Sequence, residues 1–91
     1  MTARTAPARA HLFRNLADAE RSEAAYAELV DLIENSDRFP ENSPAREAIS
    51  YELGRLREIA AEMERDCDKC RFALIDNGHT FEEYESWSAA R

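Results

Sequence analysis

Two thiols three residues apart, in the run Cys67-Asp68-Lys69-Cys70, are the side chains best suited by type and spacing to do chemistry. Such a pair can chelate zinc or run thiol–disulfide exchange. Redox catalysis places its nucleophilic thiol at a helix N-terminus, where the helix dipole stabilises thiolate. Here the pair falls late in a long helical pattern and is flanked by Asp66 and Asp68, which disfavour thiolate. Both cysteines also occupy successive positions of an apolar stripe, so they read first as small hydrophobes in a core. A zinc site would need further ligands, and His11 and His79 are the only histidines. Antiparallel pairing of two helices brings His11 beside Cys70, with His79 just past the end of the same helix. Should metal bind, Cys67, Cys70, His11 and His79 are the set to test. No recurring finger spacing supports one, and no cofactor is expected. Taken singly, His11 reads as a surface residue at a helix end, and His79 as a residue packing on Tyr84 ahead of a helix.

Other catalytic arrangements are missing. The chain has no His-Glu-x-x-His, no Glu-x-x-His pair and no Ser-His-acid grouping. Its two glycines, Gly54 and Gly78, build no phosphate-cradling loop. The expectation is a protein that is not an enzyme.

Carboxylates offer the more informative surface. Nineteen acidic against twelve basic residues give a net charge of −7, which makes non-specific attraction to nucleic acid or an anionic membrane weak. Residues 1–16 carry Arg4, Arg9 and Arg14 and no acid, whereas residues 17–37 hold seven acids and only Arg21. On a helix, Glu20, Glu23, Asp31 and Glu34 share an arc of about 80°, with Glu28 at its margin. Such a row can dock on a basic groove, including one that otherwise holds a nucleic-acid backbone. Tyr84 and Trp87 are the aromatics placed first as contact residues beside it. Phe39, Tyr51 and Phe72 also lie outside the main apolar stripe.

The elements that must position these groups are helical. Val, Ile and Thr are scarce, and no segment alternates apolar and polar residues over a strand's length. Leu12, Leu16, Ala19, Tyr26, Val30 and Ile33 predict a first helix over about 11–35, preceded by a basic flexible tail over 1–10. Leu12, Phe13 and Leu16 point to one side of the later arc. A bend or a junction of two segments is therefore expected near 17–23, with Asn15 or Ser22 capping a restart. Turn formers fill a loop over 36–43, and Ser43-Pro44 reads as N-cap and first helical residue. Ile49, Leu53, Leu56, Ala60, Met63, Cys67, Cys70 and Leu74 recur at alternating spacings of four and three, a heptad seam on a helix over about 44–76. Asn77-Gly78 stops it, and Thr80 opens a third helix over about 80–89.

Pairing the two long stripes antiparallel sets Leu16 against Cys67 and Leu12 against Cys70, with Glu23 opposite Ala60 as the worst layer. The fold expected is all-α, a long two-helix hairpin with a short C-terminal third helix, forming one small bundle over 11–91. A hairpin that long cannot bury its stripe alone, so the third helix or a second copy of the chain should close it. No apolar stretch suits a bilayer crossing, and the N-terminus leads into no apolar signal region, so the expected location is cytoplasmic. Together these features imply a small acidic regulator or inhibitor that docks its carboxylate face on a basic protein surface and competes with nucleic acid there. By composition alone, this is the manner of some phage and mobile-element inhibitors and some antitoxins. No direct nucleic-acid or membrane binding is expected. The alternatives are a self-associating helical module, working as a homodimer, and a small Cys/His zinc-site or thiol protein.

Overall fold

The computed structural model describes residues 8–91, and all regular structure among them is helical. Helix α1 spans Arg9–Glu34, α2 Pro44–Ala48, α3 Ser50–Asp76 and α4 Phe81–Ala89. The expected architecture is present: α1 and α3 form a long antiparallel pair, and the short α4 packs on α1. No helix among the described residues is long and apolar enough to cross a membrane.

Local signals placed most helix ends. Ser43 accepts a hydrogen bond on its side-chain oxygen from the Arg46 N–H at 3.1 Å, with Pro44 at the first helical position. Thr80 does the same for Glu83 at 3.1 Å. Gly78 takes φ 84, the left-handed conformation that glycine adopts at no steric cost. Around it, Gly78 N–H donates to the Ile75 carbonyl and His79 N–H to the Leu74 carbonyl, closing α3 in a Schellman motif.

Three expectations are corrected. Arg9 and Ala10, assigned to the basic tail, are the first residues of α1, whose N-cap Ala8 has no side-chain cap. The remainder of that tail, residues 1–7 with Arg4, lies outside the described residues. Next, α1 runs without interruption through 17–23, and neither Asn15 nor Ser22 restarts it. That stretch is rich in Ala and Glu with no Gly or Pro, so nothing local breaks it. Phe13 points away from the later stripe because α4 covers it, and no bend is needed. Finally, the second long helix is divided at Ile49, whose ψ of 4° leaves the helical range and separates α2 from α3.

That division changes the register of the hairpin. Helix α2 packs along α3 and reaches α1 only through the Arg46 side chain, so the helix that pairs with α1 starts at Ser50 instead of Pro44. Arg46 ties down the connection: its Nη1 donates to the Glu34 carbonyl at 3.2 Å and the Phe39 carbonyl at 2.9 Å. A cation thus sits on the last carbonyl of α1, where the helix dipole favours it. Relative to the expected alignment the helices are slid by about two turns. Leu16 meets Leu74 in place of Cys67, and Cys67 lies by Glu23. The slide sets Glu20 against Arg71 and Glu34 against Arg57, which offsets charge that α1 alone leaves uncompensated.

The core is small and lies at the α4 end. Phe13, Leu16 and Leu74 form it, with Cys70, Tyr84 and Trp87 packed against them. Leu12, Leu53 and Cys67 are the other buried apolar residues among those described. Leu56, mid-stripe, is only half-buried.

Candidate functional site

The carboxylates of α1 divide into two groups. Glu20 and Glu34 are engaged across the hairpin: Glu20 accepts from the Arg71 guanidinium at 3.3 Å and from the Tyr84 hydroxyl, and Glu34 accepts from Arg57. Arg71 also holds Asp68 at 3.0 Å. Both ends of the acidic row are therefore neutralised by α3, a compensation invisible when only charges within α1 are counted. Glu23 is half-buried, whereas Glu28 and Asp31 are exposed.

A shallow groove opens between the two cross-hairpin ion pairs. Ala27 and Val30 of α1 and Ala60 and Ala61 of α3 form its floor, and Glu23, Asp31, Glu64 and Arg57 stand around it. The floor is apolar because small side chains let the two helices approach while filling little space above them. Among the described residues, Glu23, Asp31 and Glu64 have no ion-pair partner. Three carboxylates around an apolar floor suit a lysine or arginine side chain, which can lay its methylene stem on the alanines and keep its charge among the carboxylates. Glu64 and the alanine floor were missed in the sequence. Their signal is the small-residue pair Ala60-Ala61 opposite Ala27, legible only once the register is known.

Tyr84 and Trp87, expected as contact aromatics, serve the packing of α4. Their rings stack at 6.1 Å, and each meets Phe13, at 5.7 and 5.6 Å. The Arg91 guanidinium lies 4.4 Å over the Trp87 ring. Both are half-buried and distant in sequence from the groove. The aromatics left exposed are Tyr51, Phe72 and Phe81.

The cysteine and histidine placements are equally specific. Cys67 is fully buried and Cys70 half-buried, and both are free thiols. His11 is exposed. The ring of His79 packs edge-on against Phe13 at 5.7 Å, in place of the expected Tyr84, and its Nδ1 lies 3.4 Å from Glu83. Among the described residues, no three His, Cys, Asp or Glu side chains converge as a metal site would require.

Burial and the adjacent Glu23 push the Cys67 thiol from 9.0 up to about 12. Burial and the hydrogen bond to Glu20 push the Tyr84 hydroxyl from 10.0 to about 12. Burial and Asp66 also raise Cys70. The folded chain holds these protons more tightly than the unfolded one, so their stabilisation is complete below about pH 9 and is lost as pH rises toward 12. The urea midpoint should stay level between about pH 7 and 8.5 and fall above that, with a shallower fall in Cys67→Ala and Tyr84→Phe. A midpoint that climbs through this range would contradict the placement of both groups.

No protein-family model, curated protein or solved structure matches the chain.

Proposed function

We propose that this chain is a small acidic protein-binding regulator or inhibitor that receives basic side chains of a partner protein in the α1–α3 groove. The observation that carries this reading is the groove itself: Glu23, Asp31 and Glu64 stand without intramolecular ion pairs around a floor of alanines. Neighbouring carboxylates on α1 add long-range attraction and set the approach of a positively charged surface. A surface that otherwise binds a nucleic-acid backbone has the required chemistry, so the chain competes with nucleic acid instead of binding it. The buried, protonated Cys67 supports a binding role over thiol chemistry.

The test is capture of the partner from host extract with wild-type chain and with the Asp31→Lys, Glu64→Lys double variant. Reversal belongs at these positions, because Glu20 and Glu34 also hold the hairpin together. Capture should be lost in the variant with helicity retained, since exposed charges contribute little to folding. Wild-type capture should weaken between about 0.05 and 0.5 M salt and yield to excess duplex nucleic acid. Undiminished capture by the double variant would remove the groove from the binding surface.

A further inference from the structure

We infer that Arg57 is a movable gate at one end of the α1–α3 groove, and that Glu34, itself outside the groove lining, sets the groove's affinity for a cation by holding that gate open. The inference rests on the reading of the groove as a seat for basic side chains. Arg57 is the one cation among the described residues that lines the groove, where it stands with Glu23, Asp31 and Glu64. On its other side it lines a second cleft with Ser43, Arg46 and Ser50, so its side chain is the partition between the two. Its hold is slight. Nε donates to Glu34 Oε1 at 2.9 Å and Nη2 donates to the same oxygen, so both bonds depend on one atom, and the arginine side chain is 55% exposed. Arg71, beyond the other end of the groove, is 34% exposed and held by two carboxylates, Glu20 and Asp68.

Two features favour a second position for Arg57. Arg46 donates to the Glu34 carbonyl at 3.2 Å, so two guanidinium groups converge on residue 34 and repel each other. Asp31 precedes Glu34 by three residues on α1, which makes the two carboxylates neighbours about 5–6 Å apart at Cβ. Asp31 has no ion pair among the described residues. An arginine on its long stem covers that distance by changing rotamer, with no movement of the backbone. Exchanging one exposed carboxylate for another costs little, because such pairs each contribute little. On Glu34, Arg57 leaves the three groove carboxylates to a partner. On Asp31 it would occupy one of them and set a positive charge where the partner's charge belongs. Glu34 is thus a positioning residue, acting on the groove through Arg57.

Calorimetric titration of the full chain with a short peptide rich in lysine and arginine tests it. Glu34→Gln should weaken binding by about tenfold, since it both frees Arg57 and lets it take Asp31. Glu58→Gln removes the same charge from an exposed residue beside Arg57 that lines no part of the groove; it should change binding by less than about twofold. Adding Arg57→Gln to Glu34→Gln should restore binding to the wild-type level or better. In Glu34→Gln the Arg57 Nε–H resonance should still show a carboxylate partner, and should lose it when Asp31→Asn is added. Should Glu34→Gln lose its far-ultraviolet helical signal, Arg57→Gln alone decides: it should bind more tightly than wild type, and Arg55→Gln, an equal change of charge at an exposed residue outside the groove, should not. Equal losses in Glu34→Gln and Glu58→Gln would overturn the gate while leaving the groove as a binding site. So would a loss in Glu34→Gln that Arg57→Gln does not restore. A peptide taken up by neither the wild type nor Arg57→Gln would overturn the reading of the groove, and the gate with it.

Discussion

Phe13→Ala should remove about 3–5 kcal/mol of stability, the cost of deleting a fully buried aromatic ring. Phe13 has no exposed surface and touches three other rings at 5.6–5.7 Å, those of His79, Tyr84 and Trp87. The Arg9 guanidinium sits 5.4 Å from its centroid. One side chain of α1 therefore organises the end of α3, the turn after it and α4. A small domain with six buried apolar side chains among its described residues belongs near the lower end of the usual range of about 5–15 kcal/mol, so this truncation approaches the whole stability. Urea unfolding followed both by Trp87 fluorescence and by far-ultraviolet circular dichroism checks it. The variant should lose the Trp87 transition first, as α4 separates, and Phe13→Leu should retain most of the stability. A loss below about 1 kcal/mol would mean that α4 does not dock on Phe13.

The second large effect concerns Glu20. Its carboxylate accepts from the Tyr84 hydroxyl and pairs with Arg71, joining α1 to α4 and to α3 at once. Glu20→Lys places two cations together and leaves the Tyr84 hydroxyl without its acceptor. The expected loss is about 1–3 kcal/mol, below that of a fully buried pair because solvent reaches both side chains. Asp31→Lys, one turn from the groove's Ala27 and without an ion pair of its own, should change stability by less than about 0.5 kcal/mol. Equal effects from the two reversals would contradict the division of the acidic row into a structural part and a free part.

Where sequence and structure agree, the determinants are local. Ser43-Pro44, Asn77-Gly78 and Thr80 mark helix ends through bonds spanning a few residues, and each acts where expected. The spacing of Leu53, Cys67 and Leu74 shows the inward face of α3 for the same reason. Register was not legible, because it depends on Ile49 turning α2 out of line and on α4 covering Phe13. Glu20 and Arg71 stand 51 residues apart, and nothing near either one reports that they meet. The sequence therefore shows the acidic row without its partners: Glu20 and Glu34 are paired across the hairpin, whereas Glu23 and Asp31, with Glu64 on the other long helix, have no ion pair among the described residues. The sequence shows Tyr84 and Trp87 as amphipathic aromatics, but what they touch depends on Phe13, whose off-stripe position reads in sequence as a bend.

The most direct measurement on the groove is a nuclear magnetic resonance titration of the full chain with a short peptide rich in lysine and arginine. Amide shifts should concentrate at Ala27, Asp31, Ala60, Ala61 and Glu64, and should disappear in the Asp31→Lys, Glu64→Lys variant. Shifts spread evenly over all acidic residues, or centred on Phe72 and Phe81 and unaffected by the double reversal, would contradict the account of a basic partner seated between α1 and α3.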